Sequence, residues 1–206
     1  MFALLIDRRI YMARPREFDE DTVLEAATQR FWTNGYEATS MRDLADRTGM
    51  TTPSLYNAFG DKRAIYRLVL DRYVRRALES CSAIFGDDDP PLRALERYFD
   101  ALIEETRADA LQKGCFVVNT ALEVAPHDAD FRDLVTNVFG RIEKYMRDCI
   151  VRGQSDGTIR TKLPAADLAR LFLGAMLGIR VLARTSSERE LLTGVVRPLF
   201  ALLRTK

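Results

Sequence analysis

The stretch GMTTPSLYNAFGDK, residues 49–62, carries side chains suited to binding a polar, negatively charged polymer. Hydroxyl and amide groups recur in it, and such groups bond to phosphate oxygens or to the edges of bases. The phenol of Tyr56 is long enough to reach a backbone phosphate, and Lys62 supplies a positive charge. The other candidates for these contacts are Thr51, Thr52, Ser54 and Asn57. Together these residues predict a surface that binds nucleic acid.

A second set of polar side chains recurs every four residues in the middle of the chain. Cys115, Asn119 and Glu123 therefore share one face of a predicted helix. They form either the polar groups of an otherwise apolar ligand pocket or a solvated stripe, and the spacing alone fits both. Aromatic residues at helical spacing also form ordinary cores, but the side chains that could wall such a pocket are Phe99, Phe131, Phe139 and Met146.

Cys115 would also be chemically reactive if it stood at the start of that helix. The amide dipoles there and the charge of Lys113 would favour the thiolate, which is the form that reacts with electrophiles. Free cysteines are more often buried and inert, so non-covalent binding of a small apolar molecule is the default expectation. His127 follows Pro126 at a predicted helix boundary, and one histidine without clustered thiols predicts neither a metal site nor another cofactor.

Three short helices position the first set of residues. The pattern predicts a helix over about 21–34, with Gly35 as a left-handed C-terminal cap. Ser40 and Asp43 form a capping-box pattern at the start of a second helix, which a glycine ends after barely two turns. A threonine caps the third helix, which ends at Gly60.

The third of these helices is short and poor in hydrophobic residues. Only Leu55 and Phe59 are spaced to face inward, so its outer face stays polar. Two short helices joined at a glycine, the second with a polar outer face, form the helix-turn-helix arrangement whose second helix enters the major groove of DNA. The sequence therefore predicts a DNA-binding unit near the N-terminus.

The remainder of the chain also repeats with helical period, and no run alternates well enough to be a half-buried strand. We therefore expect an all-α protein. The segment 153–164 is rich in turn residues and predicts a loop, Ser187 with Glu190 forms a second capping-box pattern, and Pro198 is expected to kink or shorten the last helix. The further helices are expected at about 61–85, 92–102, 116–125, from 130, 164–184 and from 187.

Composition places the chain among intracellular proteins. It has 206 residues, is 47% apolar and carries a net charge of +1, so any nucleic acid must be held by a local basic patch. Cys81, Cys115 and Cys149 are few and odd in number, which is typical of free thiols in a reducing cytosol. No apolar run is long enough to span a bilayer. We expect a soluble, cytoplasmic protein whose translation begins at Met12, because organised sequence starts beyond it.

The run VLEAATQRFWTNGYEATSMRDLADRTGMTTPSLYNAFGDKRAIYRLVL, residues 23–70, resembles the DNA-binding domain of the TetR/AcrR family of transcriptional regulators over its full length. The matching residues are Ala26, Ala27, Phe31, Gly35, Thr39, Ser40, Leu44, Ala45, Gly49, Leu55, Tyr56, Phe59 and Lys62. The resemblance implies a recognition helix that carries Thr51, Thr52, Ser54, Tyr56 and Asn57. It also implies that Tyr56 and Lys62 contact phosphates and that Arg42 adds another phosphate contact. Pro53, Asn57 and Ala58 depart from the usual family pattern, which leaves the operator sequence open.

A DNA-binding domain of this family normally binds a two-fold site as a dimer. The last two predicted helices carry more apolar surface than one chain is expected to cover, and Gly174 and Gly178 would permit close approach. Arg170 and Arg180 argue against a membrane role for that glycine spacing. In the TetR family the corresponding helices form half of an intersubunit four-helix bundle. The apolar candidates are Leu168, Leu171, Phe172, Ala175, Ile179, Leu182, Leu191, Leu192, Val195, Leu199 and Leu202.

Residues 113–128, KGCFVVNTALEVAPHD, resemble a branch of the family that includes the electrophile-sensing repressor NemR. We therefore expect a repressor that releases a palindromic DNA operator when a small-molecule effector binds or a thiol is modified. The expected domains are a flexible N-terminal arm with Arg14 and Arg16 over 1–18, a helix-turn-helix domain over 19–60, and an effector-binding and dimerisation domain over 61–206. A helical adaptor without DNA binding is the alternative, and no catalytic motif supports an enzyme.

Overall fold

The computed structural model describes residues 18–86 and 89–204, and within these residues the chain forms nine α-helices and no β-strand. This confirms the predicted all-α class. The expected arm residues Arg14 and Arg16 and the expected start at Met12 lie outside the described residues. The helices are α1 Glu20–Asn34, α2 Met41–Thr48, α3 Thr52–Phe59, α4 Lys62–Gly86, α5 Pro91–Ala108, α6 Phe116–Glu123, α7 Ala129–Asp156, α8 Ala165–Leu182 and α9 Arg189–Arg204.

Local hydrogen bonds set the ends of the two short helices α2 and α3. Ser40 Oγ accepts the Asp43 N–H at 3.1 Å, and Asp43 Oδ2 accepts the Ser40 N–H at 2.9 Å, so the predicted capping box is confirmed. Gly49 ends α2 in the left-handed region with φ 73° and ψ 9°. Thr51 then caps α3 by accepting the Ser54 N–H at 3.3 Å. Helices α1–α3 are here called the reading head.

Gly35 ends α1 in a conformation that differs from the predicted left-handed cap. Its N–H donates to Phe31 O at 2.8 Å, but its φ of 87° is combined with an extended ψ of 171°. The extended ψ carries the chain away from α1 instead of curling it back. The loop between α1 and α2 can therefore pack against the C-terminal end of α6.

Two expectations for the C-terminal half are wrong. Helix α7 continues through Gly153 to Asp156, because Ile159 folds back onto Gly153, where an added Cβ would lie 2.6 Å from Ile159 Cδ1. The capping box predicted at Ser187 is replaced by a bond from the Glu188 N–H to Ser186 Oγ at 3.2 Å, and α9 begins at Arg189.

Pro198 lies inside α9 and does not end it, since the helix continues to Arg204. Proline lacks the N–H that would bond to the carbonyl of Gly194 four residues earlier. Both Pro198 and Gly194 are exposed, so water can reach that carbonyl.

One continuous hydrophobic core runs from Val23 in α1 to Leu203 in α9 and joins the reading head to the remaining helices. Tyr66 of α4 lies at the junction, with its ring centroid 4.9 Å from that of Phe31 and 5.3 Å from that of Phe116. Its hydroxyl also bonds to Thr120 Oγ1 of α6 at 2.8 Å. The group formed by Phe31, Tyr36, Tyr66, Phe116 and Phe131 is here called the aromatic cluster.

Candidate DNA-binding surface and effector cavity

The predicted recognition residues lie on and beside α3. Leu55 and Phe59 are buried and hold α3 to the core, which leaves the opposite face open. Tyr56 is 50% exposed, and its phenol is free to reach outward. Thr51, Ser54 and Asn57 are exposed as well, whereas Thr52 is half-buried. The face therefore presents hydroxyl, amide and phenol groups of the kinds that contact phosphates and base edges.

The two basic residues proposed for phosphate contact differ in their surroundings. Arg42 is exposed in the first turn of α2. Lys62 is half-buried, and its Nζ donates to Tyr36 O at 3.1 Å while lying 4.2 Å from the centre of the Tyr36 ring. The ammonium group of Lys62 carries three N–H donors, so it can bond to a phosphate oxygen while it keeps the Tyr36 carbonyl.

A cavity of about 480 Å³ lies on the far side of α6 from the reading head loop, within the size range of small-molecule sites. Helices α1, α4, α5, α6, α7 and α8 all contribute to it. Its walls are mostly apolar. Apolar residues of the lining include Leu102, Val117, Val118, Val138, Phe139, Ile142 and Met176, and its polar residues include Tyr73, Arg76, Cys81, Tyr98, Glu105, Cys115 and Arg180.

Two of the seven predicted pocket residues, Cys115 and Phe139, line this cavity. The structure does not bring the other three wall candidates to it. Phe99 packs in the core against Phe172 at 5.5 Å between ring centroids, Phe131 packs against Tyr66 in the aromatic cluster, and Met146 is fully buried. Helical spacing identified these residues as inward-facing but did not distinguish the core from the cavity.

Two residues of the predicted polar stripe on α6, Asn119 and Glu123, bond to different parts of the protein. Asn119 Nδ2 donates to Lys113 O at 2.9 Å and holds the loop before α6. Glu123 Oε1 accepts the Glu37 N–H of the reading head at 2.8 Å. Neither alternative, solvated stripe or pocket wall, describes these two residues, because Asn119 bonds to the loop before α6 and Glu123 bonds to the loop between α1 and α2.

Cys115 occupies the N-cap position of α6, as its predicted place near the helix start requires. Tyr73 O–H donates to its Sγ at 3.7 Å, and the thiol is half-buried at the cavity wall. Lys113 is engaged elsewhere, since its Nζ pairs with Asp109 at 3.2 Å and lies 4.9 Å from the centre of the Trp32 ring. The charge of Lys113 is therefore largely compensated.

The other two thiols are buried, although Cys81 also lines the cavity. Burial raises the pKa of Cys81 to about 11. Burial also raises the pKa of Cys149 to about 11, and Cys149 Sγ donates to Pro91 O at 3.1 Å. Raised pKa values reduce the thiolate fraction of these two thiols at neutral pH, and Cys115 is the most exposed of the three cysteines.

Sequence reasoning missed two important cavity residues, Trp32 and Arg180. Trp32 belongs to α1, and its Nε1–H donates to Gly114 O at 3.1 Å, so the reading head contributes directly to the cavity wall. Arg180 Nη2 donates to Glu105 Oε2 at 2.7 Å. An arginine inside the otherwise apolar run LFLGAMLGIRVL was the sequence signal that could have identified it.

A polar recognition helix on a helical domain with an internal cavity is the architecture of a DNA-binding transcriptional regulator. The family described as "Bacterial regulatory proteins, tetR family" matches residues 23–69, and the family described as "Tetracyclin repressor-like, C-terminal domain" matches residues 91–199. The chain belongs to the TetR family of transcriptional regulators. This confirms the resemblance found in the sequence and the expectation that the protein is not an enzyme.

Individual relatives cover most of the chain. It is 31% identical to the HTH-type transcriptional repressor ComR of Escherichia coli strain K12 over 86% of this chain and 85% of that protein. Among solved structures, a cysteine mutant of the TetR family regulator CifR, complexed with 26 bp operator DNA, is 28% identical, with a TM-score of 0.81 and coverage of 91% and 98%. Reduced NemR of E. coli also has a TM-score of 0.81, with coverage of 90% and 97%, but at 15% identity it shows the fold alone.

Across residues 18–86 and 89–204, no helix is long and apolar enough to cross a membrane. In the same residues, no group of three or more His, Cys, Asp and Glu side chains could hold a metal ion.

Proposed function

We propose that the protein is a homodimeric, ligand-responsive repressor that releases a palindromic operator when its cavity is filled. The observation that carries this proposal is the position of α6. Its N-cap residue Cys115 lines the cavity, and its last residue, Glu123, bonds to the loop of the reading head. A ligand that moves α6 therefore changes the geometry of the DNA-binding surface. It releases DNA only if it binds more tightly to the protein with the changed geometry than to the DNA-bound form.

Further contacts hold the start of α4, which directly follows the reading head, to α6 and to the start of α7. Arg63 of α4 donates to Asp128 at 2.7 Å and to Asp130 at 2.6 Å, and its hydrogen bonds lower the pKa of Asp128. Tyr66 of α4 bonds to Thr120 of α6. These contacts lie within the proposed effector-binding domain over 61–206 and attach α4 to α6 and α7, directly after the proposed DNA-binding domain over 19–60.

Dimerisation through α8 and α9 is supported by apolar side chains on their outer faces. Leu171 and Val181 are each 46% exposed, and Leu191 is 41% exposed. A Cβ added at Gly174 or Gly178 would meet nothing within 4 Å in the described chain, which leaves room for a partner helix. Four of the predicted interface residues, Leu168, Phe172, Ile179 and Leu192, are instead buried in the chain's own core.

Repression as the direction of control is supported by relatives. ComR is described as a repressor, as is DhaR of Mycobacterium sp. strain GP1, and CifR is seen on operator DNA.

Two reading heads on one face of a duplex would engage half-sites about 34 Å apart, one helical turn.

Selection of bound sequences from random duplex DNA tests the proposed function. We expect a palindromic consensus, bound by the dimer with an affinity that falls steeply as salt rises. A helical adaptor would select no consensus and would show no shift of duplex DNA at low salt, and either result would contradict the proposal.

Asn57→Ala and Tyr56→Phe should have different effects on DNA binding. We expect the exposed amide of Asn57 to bond to a base edge, so its loss should cost about 1–3 kcal/mol of binding free energy at one base pair and relax the sequence preference there. Loss of the Tyr56 hydroxyl should weaken binding to all duplexes by a similar factor. Competition binding against a panel of operator variants measures both. A uniform loss in Asn57→Ala would contradict its assignment.

N-ethylmaleimide should modify Cys115 before Cys81 and Cys149. At pH 7 a thiol with a pKa of about 11 is about 0.01% thiolate, and both slower thiols are buried. Mass spectrometry of peptides follows the modification, and operator release is measured in parallel. If N-ethylmaleimide still releases the operator from the Cys115→Ser variant, modification of Cys115 is not the signal. Non-covalent ligand binding then remains as the proposed mechanism.

A further inference from the structure

Arg180 places a buried positive charge at the wall of the cavity. Its side chain is 14% exposed, although it lies in a helix whose neighbouring residues are apolar. Its partner, Glu105, is 57% exposed. A buried guanidinium requires a partner because an unpaired charge in an apolar site is costly. The exposed carboxylate of Glu105 can return to water at little cost, so the pair can exchange one carboxylate for another.

The cavity lining presents one largely buried positive charge. The charged residues in the lining are Arg76, Glu105 and Arg180. Arg76 is 65% exposed and pairs with Glu25 of α1 at 3.1 Å, so it faces the cavity rim. Arg180 is therefore the charge that a ligand inside the cavity would meet. The mostly apolar remainder of the lining suits a hydrocarbon body.

Two buried hydroxyls in the same cavity can donate hydrogen bonds to such an anion. Burial raises the pKa of Tyr73 and of Tyr98 well above the usual value, so both phenols stay protonated. Their present acceptors are the thiols of Cys115 and Cys81, which are weak acceptors. A carboxylate oxygen would be a stronger acceptor for either phenol.

A smaller cavity of about 330 Å³ adjoins the first and shares Trp32, Glu105 and Arg180 with it. Its remaining lining comes from the end of α5, the loop before α6, and Ala183. The ion pair of Arg180 and Glu105 therefore lies in the lining that the two cavities share.

We propose that the effector is a small amphipathic carboxylate whose charged group binds Arg180 in place of Glu105 and whose apolar body fills the larger cavity. This inference rests on the proposed function only in taking the cavity as the effector site. Trp32 lies in the lining and comes from the reading head, so the same ligand would also act on α1 directly.

Trp32 is the chain's only tryptophan, so its fluorescence reports occupancy of the cavity without DNA. We would titrate the full chain with octanoate and phenylacetate and with their uncharged counterparts, octanamide and phenylacetamide. The carboxylates should bind about 10–100-fold more tightly than the amides, as expected for a charge-assisted pair in a shielded site. If no carboxylate binds more tightly than its amide, including the case in which nothing binds, the proposal is wrong.

Variants of the pair identify the charge responsible. Glu105→Gln removes the competing carboxylate and should tighten binding of octanoate several-fold, while Arg180→Met should remove the preference for octanoate over octanamide. The matched controls are Glu104→Gln and Arg107→Met, which alter the neighbouring α5 pair joined at 2.9 Å outside the cavity lining.

Two outcomes with these variants overturn the proposal. One is unchanged affinity for octanoate in Glu105→Gln, and the other is a preserved carboxylate preference in folded Arg180→Met. If Arg180→Met does not fold, Glu105→Gln decides alone. Operator binding is measured separately on the wild type, so its absence would count against the proposed function and not against the ligand class.

Discussion

Replacing Leu171 with glutamate should make the protein monomeric and weaken its binding to the palindromic operator by about 100-fold or more. Leu171 is 46% exposed on α8 beside Gly174, where a partner helix has room to approach. In a symmetric dimer the new carboxylates would be buried close to each other, which costs several kcal/mol. A monomer loses the high local concentration that a bound first reading head gives to the second.

Sedimentation and operator titration of the same samples measure this effect. Leu68→Glu is the matched control, because Leu68 is 40% exposed on α4, outside the proposed interface of α8 and α9. The control should stay dimeric and bind DNA normally. A dimeric Leu171→Glu protein with full operator affinity would place the interface elsewhere.

Replacing Gly35 with alanine should destabilise the reading head through two separate causes. Its φ of 87° with ψ of 171° belongs to a region that is essentially restricted to glycine, and an alanine there costs about 1–3 kcal/mol. The added Cβ would also lie 2.9 Å from both carboxylate oxygens of Glu123. The bond from Glu123 to the Glu37 N–H would then break, and the loop would lose its anchor on α6.

A double-mutant cycle in urea separates the two causes. Adding Glu123→Ala to Gly35→Ala should restore at least about 0.5 kcal/mol of the lost free energy of unfolding. The second substitution removes the close contact between the new Cβ and the carboxylate, while the backbone strain at residue 35 remains. Gly49→Ala is the matched control: its φ is 73°, but an added Cβ meets nothing within 4 Å in the described residues. Its cost should be unaffected by Glu123→Ala. Strict additivity of Gly35→Ala and Glu123→Ala would show that the carboxylate contact is unimportant.

The reading head could be predicted from the sequence because its helix ends depend on short-range bonds. The bonds of Ser40 with Asp43 and of Thr51 with Ser54 join residues three apart, so the residue types alone specify them. Gly35 shows the limit of that reasoning. A glycine at the helix end required a positive φ, but its ψ depends on packing against α6.

The cavity could not be predicted because its lining depends on how six helices pack. Phe99, Phe131 and Met146 have the same inward spacing as Phe139, yet only Phe139 faces the cavity. Glu123 finds its partner 86 residues earlier in the chain, a distance that no local pattern encodes. Gly153 begins a segment rich in turn residues, but it stays helical because Ile159 packs against it.

The aromatic cluster has a consequence for engineering new regulators by exchanging DNA-binding domains between family members. Phe31 and Tyr36 of the reading head pack with Tyr66 of α4, which in turn packs with Phe116 and Phe131. A chimera cut after residue 60 would place a foreign head on these rings and leave holes or overlaps among them. A graft that keeps this packing must therefore transplant the head together with the residues of the aromatic cluster on α4, α6 and α7.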